Sequence, residues 1–275
     1  MSVPRSIGAM HTAQIRRSEW PLFGSFDADR YAPALRERAA KQWARRAREE
    51  YRSIHEFSEL THALTRVGAP LELLGGLARL ITDEVRHAAL CREMASCLVA
   101  AATEWDAASE LFGPAPAAAE GVLGWAADVV IAGCCIGETL SRPLYETLAT
   151  LITDPVPEAV VRQILKDEHL HARFGWETLA WLWPQLTDAS REQRTAELSR
   201  RLGTFERACS AGHALSDLVG ELAVEAPAED APPNLGHLPS RVYATVFYAT
   251  LEAEVLPGFR ALGIDADEAW RARGA

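Results

Sequence analysis

The chain has 275 residues, of which 48% are hydrophobic and 24% are charged, and its formal net charge is −10. This length supports one large domain with a sizeable core, and the acidic balance argues against a broad nucleic-acid-binding surface. Five cysteines without a CxxC pair, no signal peptide and no apolar run of about 20 residues predict a cytoplasmic protein without a membrane span.

The sequence predicts an all-α fold, because Ala, Leu, Glu and Arg are abundant and alternating β-branched runs are scarce. An irregular arm at 1–28 is expected to end at a helix cap, either Asp27 or Asp29. The predicted helices lie at about 32–67, 70–99, 119–152, 156–182, 188–220 and 240–256. The predicted connections are a linker at 100–118 that is helical in part at 102–112, a Pro-rich loop at 226–239 and a short tail after 256.

An Asp-Glu-x-x-His unit occurs twice in the chain, at Asp83-Glu84-Val85-Arg86-His87 and at Asp167-Glu168-His169-Leu170-His171. The Glu and the His of each unit are three residues apart, so on an α-helix they share a face. Each unit can therefore point one carboxylate and one imidazole into the same space. One such pair could arise by chance, but the repeat predicts two helices that supply four ligands to a two-metal site.

A further Glu stands upstream of each unit. Glu50 precedes Glu84, and Glu138 precedes Glu168, by similar intervals along the chain. Each interval contains turn residues, at 68–70 in the first and at 154–157 in the second, and is typical of helix, tight turn and helix. A two-metal site in a four-helix bundle needs one such Glu from each of the two remaining helices.

The alternatives to Glu50 on the first helix are Glu56 and Glu59. In the first half of the chain, Glu50 lies about one helical turn farther from the turn at 68–70 than Glu84 does. The second half repeats this offset between its upstream and its downstream Glu. Glu56 does not fit this shared offset, because it lies closer to the turn than Glu84 does. We therefore favour Glu50 as the ligand and keep Glu56 as the alternative.

A substrate cavity is expected beside the metals. Pro143 lies five residues after Glu138 and should bend the helix there, because proline removes a backbone hydrogen bond. The candidates for the cavity wall are Cys91, Cys134, Cys135 and Ser141. For the adjacent cysteine pair the simpler interpretation is packing as small core residues.

Residues 45–180 resemble the ferritin-like di-iron carboxylate superfamily, and within it the bacterial ferritin-like domain proteins of oxygenase or oxidase type. The resemblance rests on Glu50 to Pro70 followed by Asp83-Glu84-x-x-His87-Ala88, then on Gly137-Glu138-Thr139 and Asp167-Glu168-x-x-His171-Ala172-Arg173. It implies a ferritin-like four-helix bundle at 29–182, preceded by the arm at 1–28. Additional helices at 183–275 would pack on this bundle.

The resemblance also implies a ligand set. Two irons would be held by six side chains, the first by Glu50, Glu84 and His87 and the second by Glu138, Glu168 and His171. Glu84 and Glu168 would be the bridging carboxylates. Carboxylate and imidazole ligands suit iron, but they suit manganese as well.

In this superfamily the Asp before each Glu supports the His of the opposite half. Here Asp83 would pair with His171, and Asp167 would pair with His87. Each carboxylate would fix the orientation and tautomer of its imidazole through the distal N–H.

The implied activity is oxidation of an organic small molecule by O2, through hydroxylation, N-oxygenation or desaturation, as in specialised metabolism. Cys91 and Gly175 stand four residues after the motif histidines, where radical-generating subunits carry Tyr, so no tyrosyl radical is expected there. No CxxC pair is present for a rubredoxin-type centre, so an external ferredoxin or reductase would supply electrons. The alternatives are a ferroxidase or iron-handling protein and a di-manganese protein that disproportionates peroxide.

The helices after 183 could cap the substrate pocket or form the interface of a homodimer. An aromatic and aliphatic stripe in the last predicted helix is expected to lie in the core or in that interface. It consists of Tyr243, Phe247, Tyr248 and Leu251.

Overall fold

A computed structural model describes residues 5–16, 20–99, 115–218 and 232–274, and the regular secondary structure in these ranges is entirely helical. The helices are α1 Arg5–Ile15, α2 Pro33–Arg66, α3 Leu71–Leu98, α4 Ala119–Val129, α5 Thr139–Leu151, α6 Pro155–Leu182, α7 Asp188–Ser210, α8 Ser240–Thr250, α9 Leu256–Ala261 and α10 Ala266–Arg271. A π-helical segment, Val130–Glu138, joins α4 to α5, and a second, Leu251–Val255, joins α8 to α9. The prediction of an all-α protein is confirmed for the described residues.

The long helices α2 and α3 form a hairpin with a short turn. Gly68 takes φ 70° there, in the left-handed region that residues with a side chain rarely adopt. Pro70 follows and immediately precedes α3, where its missing N–H costs no intrahelical bond. The turn predicted at 68–70 is therefore confirmed, and it makes α2 and α3 antiparallel neighbours.

A second hairpin consists of α4, the π-helical segment and α5 on one side and α6 on the other. The side chain of Asp154 caps α6 by accepting a hydrogen bond from the N–H of Val156 at 2.9 Å. Pro155 occupies the first turn, as proline does at a helix start. Contacts of α3 with α6 and of α2 with α4 bring the two hairpins together.

Two hydrophobic clusters fill the interior on either side of a polar belt. One contains residues such as Phe57, Leu77 and Leu179, and the other contains residues such as Trp43 and Leu90. On α2, α3 and α6 the two clusters occupy opposite ends of each helix. The predicted ligands at 50, 84–87 and 168–171 fall between these ends, so the fold places them at mid-height of the packed helices.

The C-terminal helices pack onto this structure rather than away from it. α8 contacts α5 and α7, and α10 contacts α7. The stripe predicted for core or interface lies in the core of the chain, since Phe247, Tyr248 and Leu251 are buried in the larger hydrophobic cluster.

The predicted irregular arm is wrong in part, because Arg5–Ile15 forms α1. The guanidinium of Arg86 on α3 donates from Nε to the carbonyl oxygen of Ile15 at 3.0 Å and holds the end of α1 against α3. That bond joins residues far apart in the chain, so local sequence did not signal it. The side chain of Asp27 caps only the short 3-10 turn Ala28–Arg30 by accepting from Asp29, and α2 itself begins with Pro33.

The C-terminal boundaries also differ from the predictions. α7 ends at Ser210 rather than near 220, because Ala211 and Gly212 adopt φ values of 48° and 83° that end a helix. The last predicted helix continues through Leu251–Val255 into α9, and α10 replaces the predicted tail. Residues 115–118 and 232–239 carry no helix, whereas the predicted helical stretch 102–112 and residues 226–231 lie outside the described residues.

The helix Glu120–Leu151 corrects the expectation that the chain lacks a long apolar run. It contains an 18-residue window of mean hydropathy 1.5, so by length and composition alone it could cross a membrane. However, 61% of that window is buried inside the protein. Its composition is that of a central core helix, which is apolar on most of its faces.

Close packing of α6 on the π-helical segment depends on Gly175. A Cβ at this position would lie 2.5 Å from the Cβ of Cys134 and 3.0 Å from its carbonyl carbon. We expect Gly175→Ala to lower the free energy of unfolding by about 1–3 kcal/mol through overpacking. Gly75→Ala on α3, where a Cβ meets nothing within 4 Å, should raise it by about 0.4–1 kcal/mol. Urea unfolding of both variants measures the contrast, and equal effects would contradict it.

Candidate metal centre

Six acidic and imidazole side chains converge where the two hairpins meet. They form the carboxylate–imidazole cluster, which consists of Glu50, Glu84, His87, Glu138, Glu168 and His171. Ligand atoms of Glu50, Glu84 and His87 all lie within 4.8 Å of one another, and so do those of Glu84, Glu138 and His171. Both groups could hold a metal ion. Glu84 belongs to both groups and is therefore placed to bridge two ions.

The imidazole of His87 faces carboxylates on both sides. Its Nδ1 lies 3.6 Å from Oε2 of Glu50, 3.9 Å from Oε2 of Glu84 and 3.7 Å from Oε1 of Glu168. Its Nε2 lies 3.4 Å from Oδ2 of Asp167. The nitrogen directed into the cluster is thus Nδ1, and Asp167 occupies the position opposite it, as the resemblance implied.

The imidazole of His171 repeats this arrangement. Its Nδ1 lies 3.0 Å from Oε1 of Glu84 and 3.5 Å from Oε2 of Glu138, while its Nε2 lies 3.7 Å from Oδ2 of Asp83. The contact with Asp83 is longer than a hydrogen bond. The centroids of the two imidazole rings are 5.6 Å apart.

The position of Glu168 differs from the predicted division of ligands, which groups its carboxylate with His171, the imidazole of its own half of the chain. Its carboxylate approaches His87 of the first half, just as Glu84 of the first half approaches His171. Of these two carboxylates only Glu84 belongs to both ligand groups, while Glu168 belongs to neither, so its bridging role stays a prediction. The crossed contacts arise because α3 and α6 pack against each other, which no count along the sequence expresses.

Two arginines hold the supporting aspartates, and the sequence analysis missed both. Arg86 donates from Nη1 to Asp83 at 2.7 Å and to Asp167 at 2.6 Å. Arg79 donates from Nε to Asp83 at 2.7 Å and from Nη2 to Asp167 at 3.1 Å. The spacing of both arginines from Asp83, four before and three after, was a readable signal, but their link to Asp167 on another helix was not.

Several buried atoms of the cluster lack a hydrogen-bond partner. They are Oε2 of Glu84, Oε2 of Glu168, Nδ1 of His87, and both ring nitrogens of His171. Each unsatisfied buried polar group costs about 1–3 kcal/mol, so such a concentration calls for an explanation. A bound ion provides one for the two carboxylate oxygens and the two Nδ1 atoms, which lie in the cluster, whereas Nε2 of His171 faces Asp83. The donor set therefore fits a metal pair.

The pKa values of the metal-free cluster also fit a site for metal ions. Burial raises the pKa of Glu168 to about 8, and the nearby Glu138 carboxylate adds to this effect. Burial and Glu50 likewise raise the pKa of Glu84 well above its usual value. For His87, burial lowers the pKa, but Asp167 and Glu50 outweigh it and raise the pKa to about 10. Protons thus occupy sites that a divalent cation would take, and metal binding would release them.

Tyr145 is a further residue that the sequence analysis overlooked. Its hydroxyl donates to Oε1 of Glu50 at 2.7 Å. Burial alone would raise the pKa of Glu50, but His87 above all, and then hydrogen bonds with Glu84 and Tyr145, lower it to about 2. Tyr145 lies seven residues after Glu138, two helical turns along the same face, and this spacing was the available signal.

A cavity of about 500 Å³ adjoins the cluster. Glu50 and Glu138, whose side chains are each 13% exposed, line its wall, whereas Glu84 and Glu168 are 2% exposed and lie deeper. The roof comes from the C-terminal part of the chain, with Phe205, Cys209, Leu238 and Tyr243. This volume falls within the usual range for small-molecule sites, about 300–1,000 Å³.

The predicted cavity wall is only partly correct. Ser141 lines the cavity, but Cys91, Cys134 and Cys135 do not and are buried core residues with free thiols. Cys134 in the π-helical segment packs closely against Gly175 of α6, and Cys91 lies on α3 within the smaller hydrophobic cluster. Gly133, five residues before Glu138, lines the cavity instead.

Glu56, the alternative to Glu50, lies in the cavity wall outside both ligand groups. Burial raises its pKa to about 7, although Arg52 opposes this rise. Pro143 lies within α5, which continues to Leu151, so the interruption of regular α-helix is the π-helical segment that ends at Glu138 and not the proline.

Comparisons of the chain with protein-family models, with curated proteins and with solved structures gave no match.

Proposed function

We propose that this protein is a di-iron oxidase or oxygenase with a ferritin-like bundle, which uses O2 to oxidise an organic small molecule. The observation that carries the proposal is the position of the cavity, into whose wall the outer carboxylates Glu50 and Glu138 extend. An iron-storage or ferroxidase site needs a route for ions but no organic-sized cavity beside its ligands. The cavity therefore favours an enzyme.

The charge of the cluster supports a pair of divalent ions. Four carboxylates from Glu50, Glu84, Glu138 and Glu168 would balance two dications without other counter-ions. Carboxylate and imidazole donors suit iron and manganese more than the soft metals that thiolates select. When bound, a ferrous pair supplies two electrons for the reduction of O2 at open coordination positions.

The protein residues would prepare and protect this site. Asp83 and Asp167 face the Nε2 atoms of the two imidazoles, which leaves each Nδ1 free to bind a metal. Tyr145 holds the carboxylate of Glu50 in place. Phe57 packs edge-on against the fully buried His171, with ring centroids 6.4 Å apart.

The substrate would enter the roofed cavity, and electrons would come from a separate ferredoxin or reductase. A cytoplasmic location, where such donors are available, is part of the proposal. A homodimer is compatible with it but is not required, because the ligands and the cavity wall all come from one chain.

The test is to load the purified protein with ferrous iron without air, measure its metal content and then mix it with O2. We expect about two irons per chain, consumption of O2 and a change in the visible absorbance. The double variant His87→Ala, His171→Ala serves as the control and should lose the metal and the reaction. Protein that binds no metal would refute the centre, and loaded protein that is inert towards O2 would refute the oxygenase.

A further inference from the structure

The cavity beside the cluster has one polar wall and one apolar wall. Residues of α2 at positions 42–57 form much of the polar wall and include three arginines, Arg45, Arg46 and Arg52. The opposite side and the roof are mostly apolar, with Leu140, Leu144, Leu148, Phe205 and Leu238. A ligand that fits this space has an apolar body and a polar group that faces α2.

The three arginines differ in their pairing. Nε of Arg45 lies 2.8 Å from Oε1 of Glu49, and Nε of Arg52 lies 3.6 Å from Oε1 of Glu56. Among the described ion pairs none involves Arg46, and its Nη1 is buried without a hydrogen-bond partner. Arg52 Nε is also buried without a hydrogen-bond partner, but Arg52 has Glu56 as an ion-pair partner. Among the described residues of the cavity wall, Arg46 is therefore the one arginine without an ion-paired carboxylate.

The guanidinium of Arg46 packs against the indole ring of Trp43. The guanidinium carbon lies 4.9 Å from the ring centroid of Trp43, which is fully buried. The indole of Trp43 is itself fixed, because Nε1 donates to the carbonyl oxygen of Leu235 at 2.7 Å. A guanidinium stacked on a fixed aromatic ring is oriented before a ligand arrives, which lowers the entropy cost of binding.

The acidic residues around Arg46 favour a singly charged carboxylate over a phosphate as its ligand. A guanidinium binds a carboxylate through two parallel hydrogen bonds. Phosphate would bring about −1.5 to −2 charges into a cavity whose wall already holds Glu49, Glu50, Glu56 and Glu138. One unpaired guanidinium among these acids matches a monoanion.

We infer that the substrate is an apolar carboxylic acid whose carboxylate is bound by Arg46. This inference rests on the proposed function and names the substrate class of the same site. Arg46 and Glu50 are four residues apart on α2, so they share a face and are separated by about 6 Å along the helix. The carboxylate would anchor the molecule at Arg46, and its apolar body would extend towards the metal ligands.

The experiment measures binding by calorimetry, without air, for matched pairs that differ only in the polar group. The probes are octanoate against 1-octanol and 3-phenylpropanoate against 3-phenylpropan-1-ol. Each is measured on the iron-loaded and on the metal-free protein, because a carboxylate could also bind the iron. We expect each acid to bind at least about tenfold more tightly than its alcohol, in both forms, as for one charge-assisted hydrogen-bonded pair.

Variants assign the preference to its residue. Arg46→Leu should abolish the preference for acids, and Arg46→Lys should retain only part of it, because an ammonium lacks the planar fork. Arg38→Leu, an exposed arginine on α2 outside the cavity wall, should bind like the unaltered protein. Circular dichroism and thermal unfolding establish that each variant is folded.

Acids that bind no more tightly than their alcohols would overturn the inference. So would a preference that survives in folded Arg46→Leu, or one seen only with iron. If Arg46→Leu does not fold, an undiminished preference in Arg46→Lys overturns it. Failure of the proposed function is seen separately, as absent iron or absent reaction with O2, and the preference in the metal-free protein does not depend on either.

Discussion

Replacing Glu84 with Ala is expected to reduce the metal content of the chain from about two ions to nearly none. Glu84 is the residue common to both ligand groups, and its two carboxylate oxygens face different imidazoles, His171 and His87. Removal of this side chain would take the one shared ligand from both ions at once. Elemental analysis after iron loading and desalting measures the loss.

The matched control is Glu56→Ala. Glu56 is a partly buried carboxylate on the wall of the same cavity, but it lies outside both ligand groups. This variant should retain about two ions per chain. Added iron should raise the midpoint of thermal unfolding for the unaltered protein and for Glu56→Ala, since a ligand that binds only the folded state stabilises it. Glu84→Ala should show no such rise. If Glu84→Ala keeps both ions, the bridging position of Glu84 is refuted.

Replacing Arg86 with Leu is expected to lower the free energy of unfolding by about 3–5 kcal/mol. Arg86 is 3% exposed and binds two carboxylates, Asp83 and Asp167, which are themselves buried. Without the guanidinium these acids would be close together and poorly compensated in a medium of low dielectric constant. The same change also removes the hydrogen bond to Ile15 that holds α1. Urea unfolding of the metal-free protein measures the difference.

Arg79 serves as the comparison for Arg86, because the two arginines bind the same aspartates but differ in how deeply they are buried. It donates to the same two aspartates as Arg86, but its side chain is 45% exposed. Solvent screens its charge and can hydrate the aspartates when it is removed, so Arg79→Leu should cost only about 1 kcal/mol. Equal losses for the two variants would contradict the argument that burial makes Arg86 the essential partner.

The sequence by itself predicted the side chains of the carboxylate–imidazole cluster, because their signals are local. Glu and His three residues apart share a helix face wherever that helix lies, and the turns at 68–70 and 154–157 set which helices are neighbours. The predicted helices 32–67, 70–99, 119–152 and 156–182 therefore agree with the structure within one or two residues. Glu50, rather than Glu56, enters a ligand group, as the matched spacing from the turns predicted.

The tertiary structure decided everything that depends on contacts between distant residues. The crossed approach of Glu84 and Glu168, the bridge from Arg86 to Asp167 and the bond from Tyr145 to Glu50 each join separate helices, whose rotation about their axes is fixed by packing. Within the π-helical segment, whose i→i+5 hydrogen bonds differ from those of an α-helix, Gly133 lines the cavity, while Cys134 packs against Gly175 of the distant helix α6. The roof of the cavity likewise depends on tertiary packing, because α7, α8 and the residues before α8 supply it above α2 and above the guanidinium of Arg46. Their side chains carry no mutual spacing in the sequence, and burial against a shared cavity is what brings them together.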